Sequence, residues 1–403
     1  MKKLLYFIIP IIIGVLFAFG LDKLLDNANN KLMQEKNLVP LMGQYASDVK
    51  DKGVIINKEF LSQDAIMMLG SSELRHATKQ HPTRYFNTNR SKDKVFTIGR
   101  PLTEELQDAI TLGSTGSSVK DKKVVLLVSL QWFVHKDGIS PKDFQSRFSP
   151  VQFYAFLNNP NISKESKIEL VNRVSELLKG SDEYKSERLY AMLYNNDSFI
   201  GKAEKIALWP YFKLREKEVI LKEKGLLYNR LKKLKDKTKK SEKLKKPINW
   251  EAEEKLALKD TKKRVGDTPH KYDKKYYNKT LKPNLEKLKD KYANVNLLES
   301  KEMDDYKYFL KIAKENKADL TVVIMPVSPW YYDYTGIDKN ERIEFYDTIG
   351  NLAKKDGFKV MDLRDKEDED YYLRDVMHLG TRGWLDVSKK LYEQYDEGKV
   401  FNK

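Results

Sequence analysis

The sequence predicts a parallel α/β fold that is divided by a large helical insertion. Short apolar runs of strand length alternate with amphipathic segments at both ends of the 403-residue chain, in residues 61–139 and 303–403. Residues 140–302 between them show helical periodicity and many lysines. Strands that alternate with helices pair in parallel, so we expect both ends of the chain to share one sheet covered on its two faces.

Each predicted element rests on a local pattern. The first strand ends at a glycine that begins a tight turn, and the third strand is apolar on both faces, as in a covered sheet. The strands are predicted at residues 64–69, 95–99, 124–130, 320–325 and 359–362. Apolar residues at helical spacing predict helices at residues 104–112, 151–157, 163–179, 184–194, 340–354 and 382–395.

The amino terminus predicts a membrane anchor. Residues 4–21 contain no charged side chain, and this run is close to the ~20 apolar residues that cross a bilayer. A cleaved signal peptide is the alternative, because Ala18-Phe19-Gly20 resembles a cleavage site. Lysines flank the run on both sides, so they do not decide its orientation. We expect the anchor at residues 1–21 and a polar stem at residues 22–60.

Charge and composition restrict the function. The 75 Lys+Arg against 59 Asp+Glu give a formal net charge of +16, which favours an anionic partner or surface. Basic residues are concentrated at 213–246, where leucines at helical spacing predict either a solvated helix with a packed seam or a binding surface. The chain has no cysteine, which excludes disulfides, thiolate zinc sites and cysteine nucleophiles. With 5 histidines, we predict neither a metal site nor a cofactor.

Two short motifs carry candidate chemistry. Gly-Ser-Ser-Glu-Leu at 70–74 directly follows the first strand, so a serine there projects from a sharp turn beside helix amides that can receive an oxyanion. Asp375 precedes His378 by one turn, so its carboxylate can reach Nδ1 and leave Nε2 as a general base. Alternatively, Ser71 or Ser72 and Asp375 are ordinary helix caps. Their chain order favours an open α/β hydrolase, since ligands bind beyond the carboxyl ends of parallel strands.

The chain resembles the DltD family, the D-alanyl transfer proteins of bacterial teichoic acid D-alanylation, over essentially its whole length. The resemblance is carried by the amino-terminal apolar run and by residues 68–74, 131–133, 325–327, 331–336, 375–380 and 383–384. The core is also similar to the SGNH (GDSL-type) hydrolases. In those enzymes a Gly-Asp-Ser-Leu block holds the nucleophile, and an Asp-x-x-His block near the carboxyl terminus completes the triad.

The resemblance assigns roles to individual residues. Gly70, Ser71 and Ser72 fall on the Gly, Asp and Ser of the first block, which makes Ser72 the expected nucleophile. Asp375 and His378 fall on the closing block and complete the expected triad.

Three further positions depart from the hydrolase pattern or complete it. Glu73 replaces the leucine of the first block, so this position adds no support to the resemblance. Gly99 is the expected glycine of the second block. No asparagine matches the third block, and the amide of Gln131 is expected to donate to the oxyanion in its place.

The resemblance implies acyl transfer at the outer face of the cytoplasmic membrane, through a Ser-His-Asp acyl-enzyme and without a cofactor. D-alanine would pass to the poly(glycerol phosphate) of lipoteichoic acid. The implied partners are lipoteichoic acid, a membrane O-acyltransferase and the D-alanyl carrier protein; nucleic acid is not expected. Two alternatives stay open: an esterase or thioesterase that releases D-alanine, and a non-catalytic scaffold that binds the carrier protein.

Overall fold

A single parallel sheet organises the molecule. The computed structural model describes residues 2–44, 46–75, 78–235 and 247–399. Within these residues, five strands pair in the order β2-β1-β3-β4-β5, and every pair is parallel. The strands are β1 (Ile66–Leu69), β2 (Val95–Ile98), β3 (Lys123–Val128), β4 (Asp319–Ile324) and β5 (Lys359–Asp362). The predicted parallel α/β fold is confirmed, and each strand lies within two residues of its expected bounds.

Helices cover the sheet and fill the chain between β3 and β4. They are α1 (Lys2–Gln34), α2 (Leu38–Met42), α3 (Asp48–Asp51), α4 (Ile55–Ser62), α5 (Pro82–Tyr85), α6 (Glu105–Ser114), α7 (Pro141–Arg147), α8 (Pro150–Leu157), α9 (Lys164–Leu177), α10 (Lys185–Tyr194), α11 (Phe199–Lys233), α12 (Trp250–Val265), α13 (Lys274–Tyr276), α14 (Leu285–Leu288), α15 (Lys301–Glu315), α16 (Pro329–Thr335), α17 (Lys339–Lys355) and α18 (Thr381–Tyr395). The helices predicted at 104–112, 151–157, 163–179, 184–194, 340–354 and 382–395 are confirmed within two residues.

The two faces of the sheet bury different helices. Because side chains alternate along a strand, Met67 and Leu69 of β1 face one core, together with residues of α4, α6, α15 and α17. Ile66 and Met68 face the other core, with Trp384 of α18 and residues of α12. Burial on both faces explains why the strands are continuous apolar runs rather than alternating ones.

The long helix α11 includes most of the predicted basic segment at 213–246. The helix ends at Lys233, and residues 236–246 lie outside the described residues. Leu227 and Leu231 are buried, as a packed seam requires, whereas Leu214 is 67% exposed. The domain boundaries expected at 139 and 302 stay a prediction.

The amino-terminal region contacts both α11 and the sheet. Lys224 of α11 forms ion pairs of 2.6 and 2.8 Å with Asp22 and Asp26 of α1. Leu38 and Phe60, from the segment expected as a stem, are buried in the core that contains β1. Met1 is outside the described residues, and a search of those residues finds no helix with the length and apolarity needed to cross a membrane. The anchor expected at residues 1–21 is therefore not supported.

Candidate active site

The candidate nucleophile lies where the order of the strands reverses. β1 pairs with β2 on one side and β3 on the other, which is the position where open parallel sheets bind ligands. Gly70 follows β1 at the carboxyl edge, and Ser72 begins a short 3₁₀ helix, Ser72–Arg75. A β-carbon built on Gly99 would lie 2.6 Å from the Gly70 oxygen and 2.8 Å from the Ser71 oxygen. Only glycine at position 99 therefore permits this close approach of the two backbones.

The structure brings together the three residues predicted to form a triad. The Ser72 hydroxyl oxygen lies 2.9 Å from Nε2 of His378. Nδ1 of the same imidazole lies 3.0 Å from each carboxylate oxygen of Asp375. A hydrogen-bonded chain of serine, imidazole and carboxylate can take a proton from the hydroxyl when the oxygen attacks a carbonyl carbon.

Asp375 is held by its own loop as well as by the imidazole. Its carboxylate accepts hydrogen bonds from the backbone amides of Met377 at 3.1 Å and His378 at 2.9 Å, and Nε of Arg374 lies 3.5 Å away. Burial alone would raise the pKa of Asp375, but the hydrogen bond and charge of the His378 ring, followed by the two backbone amides, hold it below its ordinary value. The group is therefore a fixed negative charge beside the ring.

This charge determines the protonation of His378. Burial would lower the pKa of His378, but the Asp375 carboxylate outweighs burial and raises it above its ordinary value, with a smaller contribution from Glu73. The ring is therefore easily protonated, as a group that accepts and returns a proton within one reaction cycle must be.

The neighbouring serine has a different environment. Ser71 is 1% exposed, and its hydroxyl donates to the backbone oxygen of Arg100 at 3.1 Å. Its amide donates to the Glu73 carboxylate at 2.6 Å, and burial raises the pKa of that carboxyl group. Sequence reasoning gave Glu73 no role, yet the side chain folds back to hold the turn that presents Ser72. Only its place two residues after a serine in a tight turn could have indicated this.

The two predicted oxyanion residues flank β1. Gly99 follows β2, and Gln131 lies in the 3₁₀ turn Leu130–Trp132 beyond β3. Among the described residues, Nε2 of Gln131 is buried without a hydrogen-bond partner. A buried amide donor with nothing to bind is costly unless a ligand completes it. The donor roles of Gly99 and Gln131 stay predictions.

A segment of the helical region lies against the loop that carries Asp375 and His378. The Asp273 amide donates to the Arg374 oxygen at 2.8 Å, and the Tyr272 hydroxyl is hydrogen-bonded to that of Ser328. The Ser328 amide in turn donates to the Val376 oxygen at 3.0 Å. These contacts, which the sequence did not predict, fix the loop across the end of β4.

No metal centre is recognisable in the described parts of the chain, where no group of three or more His, Asp or Glu side chains could hold a metal ion. The candidate chemistry is that of the serine, the imidazole, the carboxylate and the donors around them.

Comparison with known proteins places this chain in a family. A family model described as DltD protein matches residues 43–396. The chain is 29% identical over 350 residues to Protein DltD of Bacillus subtilis (strain 168), with 87% of each chain covered. It is 26% identical over 343 residues to Protein DltD of Staphylococcus aureus (strain NCTC 8325 / PS 47), with 84% of this chain and 83% of the relative covered. Since the family model covers most of its length, this chain belongs to the DltD protein family.

Proposed function

We propose that the protein transfers D-alanine to lipoteichoic acid through an ester on Ser72. The observation that carries the proposal is the 2.9 Å contact of the Ser72 hydroxyl with His378, whose other nitrogen is held by Asp375. Membership of the DltD family supports the substrate, because the sequence resemblance to this family implies teichoic acid D-alanylation. The parallel sheet, with the serine after its first strand, is compatible with an SGNH-type hydrolase core.

The acylation step forms an ester bond on Ser72 and breaks the ester or thioester bond of the donor. The Ser72 oxygen attacks the carbonyl carbon of a D-alanyl donor while its proton passes to Nε2 of His378, and Asp375 stabilises the imidazolium. The tetrahedral intermediate then collapses, and the leaving oxygen or sulfur of the donor takes the proton from His378. The product is a D-alanyl ester on Ser72 with a neutral imidazole beside it.

The second step repeats this proton path in the opposite direction. A glycerol hydroxyl of the acceptor gives its proton to His378 and attacks the D-alanyl carbonyl carbon. Ser72 leaves and recovers the proton from the imidazolium. Each intermediate carries an oxyanion, and the buried Nε2 of Gln131 is a donor that could bind it. Gly99 contributes by allowing the backbone of the nucleophile turn to lie against β2.

The charge of the protein suits this acceptor. Poly(glycerol phosphate) is polyanionic, and a net charge of +16 raises its concentration near the protein. We place the reaction at the outer face of the cytoplasmic membrane, where a membrane O-acyltransferase would supply D-alanine from the carrier protein. An acceptor hydroxyl held in the attacking geometry reacts faster than unoriented water, which favours transfer over hydrolysis.

Isolation of the acyl-enzyme tests the proposal. The purified protein is incubated with a D-alanyl thioester, quenched in acid and digested, and the peptide that contains Ser72 is examined by mass spectrometry. We expect one D-alanyl group on Ser72 in the wild type and in Ser71→Ala, and none in Ser72→Ala. Absence of the ester from the wild-type peptide would remove the covalent mechanism and leave a binding protein.

Addition of poly(glycerol phosphate) to the loaded enzyme separates transfer from hydrolysis. We expect the D-alanyl group to appear on the polymer. Release of D-alanine at the same rate with and without polymer would favour the esterase alternative instead.

A further inference from the structure

One side of the first half of α11 is apolar and uncovered. Its members, called here the α11 apolar face, have exposed fractions between 58% and 89%: Phe199, Ile200, Ile206, Trp209 and Leu214. Isolated exposed apolar residues are normal on soluble proteins, but five large ones within five turns of one helix form an apolar surface. Such a surface marks an interaction site.

The opposite side of the same helix is packed, so the exposure is not a sign of a loosely attached element. Phe212 is 3% exposed, and its ring lies 4.9 Å from that of Tyr190 on α10. Lys205 lies over the ring of Tyr194, 4.9 Å from its centroid. Helix α11 is thus fixed to α10 by one side and presents the apolar face on the other.

The residue types of this segment suit the surface of a bilayer. Residues 199–214 contain three lysines and one glutamate, so the segment is basic as well as apolar. Lys202 and Lys213 are exposed beside the apolar residues. Tryptophan, here Trp209, is one of the side chains that concentrate at membrane interfaces. A helix with an apolar face, an interfacial tryptophan and exposed lysines binds in the plane of an anionic lipid surface.

The direction of α11 relative to α1 gives independent support. Asp22 of α1 pairs with Lys224 of α11, and just beyond the carboxyl ends of both helices Lys36 donates to the Leu234 oxygen at 2.9 Å. The two helices are therefore parallel, and their preceding turns extend towards the same end of the molecule. At this end of α1, the side chains of Ile13, Phe17 and Phe19 are 60%, 69% and 63% exposed. Apolar side chains of two separate chain segments are thus presented at one end.

We propose that the α11 apolar face lies in the headgroup region of a membrane rich in anionic lipid. Its apolar side chains would enter the boundary of the acyl chains, and Lys202 and Lys213 would contact lipid phosphates. This surface would hold the molecule against the bilayer through a helix that is distant in sequence from its amino terminus. The proposal requires no step of the acyl transfer, so either can fail without the other.

Tryptophan quenching in vesicles tests the contact directly. The purified full-length protein is reconstituted into phosphatidylglycerol vesicles whose acyl chains carry bromine, which quenches only fluorophores that reach the lipid. We expect quenching by bromine and protection from aqueous iodide, and we expect Trp209→Phe to remove the bromine-dependent part. Bromine quenching that is unchanged in Trp209→Phe, or absent from the wild type, would overturn the proposal and leave a protein partner to cover the face.

Two comparisons specify the surface. Ile206→Glu should reduce bromine quenching of Trp209, whereas Leu256→Glu should not, because Leu256 on α12 is equally apolar and 56% exposed but is not on this face. Equal losses in both variants would overturn the assignment to α11. In phosphatidylcholine vesicles at low salt we expect weaker quenching, since the lysines lose their anionic partners. Equal quenching in the two lipids would overturn the assignment to an anionic surface.

Discussion

The hydroxyl oxygen of Ser72 lies 2.9 Å from Nε2 of His378, although 306 positions separate the two residues in the chain. β1, which precedes Ser72, and β5, which precedes His378, are not neighbours, because β3 and β4 lie between them. The loop after β5 must therefore cross the carboxyl ends of both strands. The bond from the Ser328 amide to the Val376 oxygen holds this loop above β4 and so determines where the imidazole lies.

The two adjacent serines should respond differently to substitution. Ser72→Ala should abolish transfer of D-alanine, a loss of ~10⁴ or more in rate, while the free energy of unfolding stays close to that of the wild type. Ser71→Ala removes a buried hydrogen bond to the Arg100 oxygen, so it should cost about 1 kcal/mol of stability and retain the acyl-enzyme. Teichoic acid ester content in cells and denaturant unfolding measure both effects. Normal ester content in Ser72→Ala would contradict the assignment.

The strands and the Asp375–His378 pair could be predicted because their signals are local, whereas the choice of Ser72 over Ser71 came from the resemblance to the hydrolase pattern. Each strand is a continuous apolar run, and the Asp-x-x-His spacing places a carboxylate beside an imidazole within one turn. Contacts between distant segments left no such signal. Glu73 holds the Ser71 amide only because the turn folds back on itself, and Asp273 reaches the Arg374 oxygen across a hundred residues of sequence.

The helices that were not predicted show a different limit of prediction from sequence. In α12 the many lysines and glutamates conceal a narrow buried stripe at Ala257, Thr261 and Val265. In α15 the buried residues recur at helical spacing, but the expected domain boundary at 302 separated its first two residues from the rest. Most of the segment 38–62 was expected as a polar stem, yet it contains apolar residues such as Leu38 and Phe60, which are fully buried against the sheet. In α12 and α15, tertiary burial of a few side chains outweighs average polarity.

The protonation of His378 should control the pH dependence of the reaction. The base must be neutral, and its pKa is raised by Asp375 above the ordinary value of 6.5, so the rate should increase with pH through one ionisation above 6.5. Asp375→Asn removes the negative charge that raises the pKa of His378, so that burial, which lowers this pKa, is no longer opposed. The ionisation should then move to lower pH while the maximum rate falls by orders of magnitude, ~10⁴ in a comparable triad.

Hydrolysis of a small ester across the neutral pH range measures this profile. An ionisation at or below pH 6.5 in the wild type would contradict the role of Asp375, as would an unchanged profile in Asp375→Asn. Lys255→Gln on the exposed surface of α12 is the control and should leave the profile where it is.

Substitution of Gln131 should change activity without lowering stability. Its Nε2 is buried and has no hydrogen-bond partner within the described residues, so Gln131→Leu removes a polar group that the fold does not satisfy. The variant should be at least as stable as the wild type. If the amide binds the oxyanion, the rate constant kcat should fall ~10²–10³-fold with little change in KM. Loss of stability together with full activity would show that Gln131 is structural.

Buried carboxyl groups between α6 and α15 should make the stability of the protein depend on pH. Burial raises the pKa of Glu104 to about 11, and burial together with the nearby Glu302 carboxyl raises that of Glu105 well above its ordinary value. These carboxyl groups therefore hold their protons to higher pH in the folded protein than in the unfolded chain, so unfolding releases protons. Because the pKa values of these groups are higher in the folded state, their stabilisation of the fold is complete below the ordinary carboxyl pKa of 4.5. This contribution to the free energy of unfolding is lost as pH rises.

Glu105→Gln should therefore reduce the pH dependence of the free energy of unfolding. Each proton released on unfolding lowers that free energy by about 1.4 kcal/mol per pH unit, and glutamine releases none. Glutamine also fills nearly the same volume, so the variant should gain stability over the wild type as pH rises from 6 to 8. Denaturant unfolding at several pH values measures the slope, and Glu204→Gln on the exposed side of α11 is the control. Equal slopes in the wild type and Glu105→Gln would show that Glu105 is ionised in the folded protein, and a neighbouring cation would then have to balance its charge.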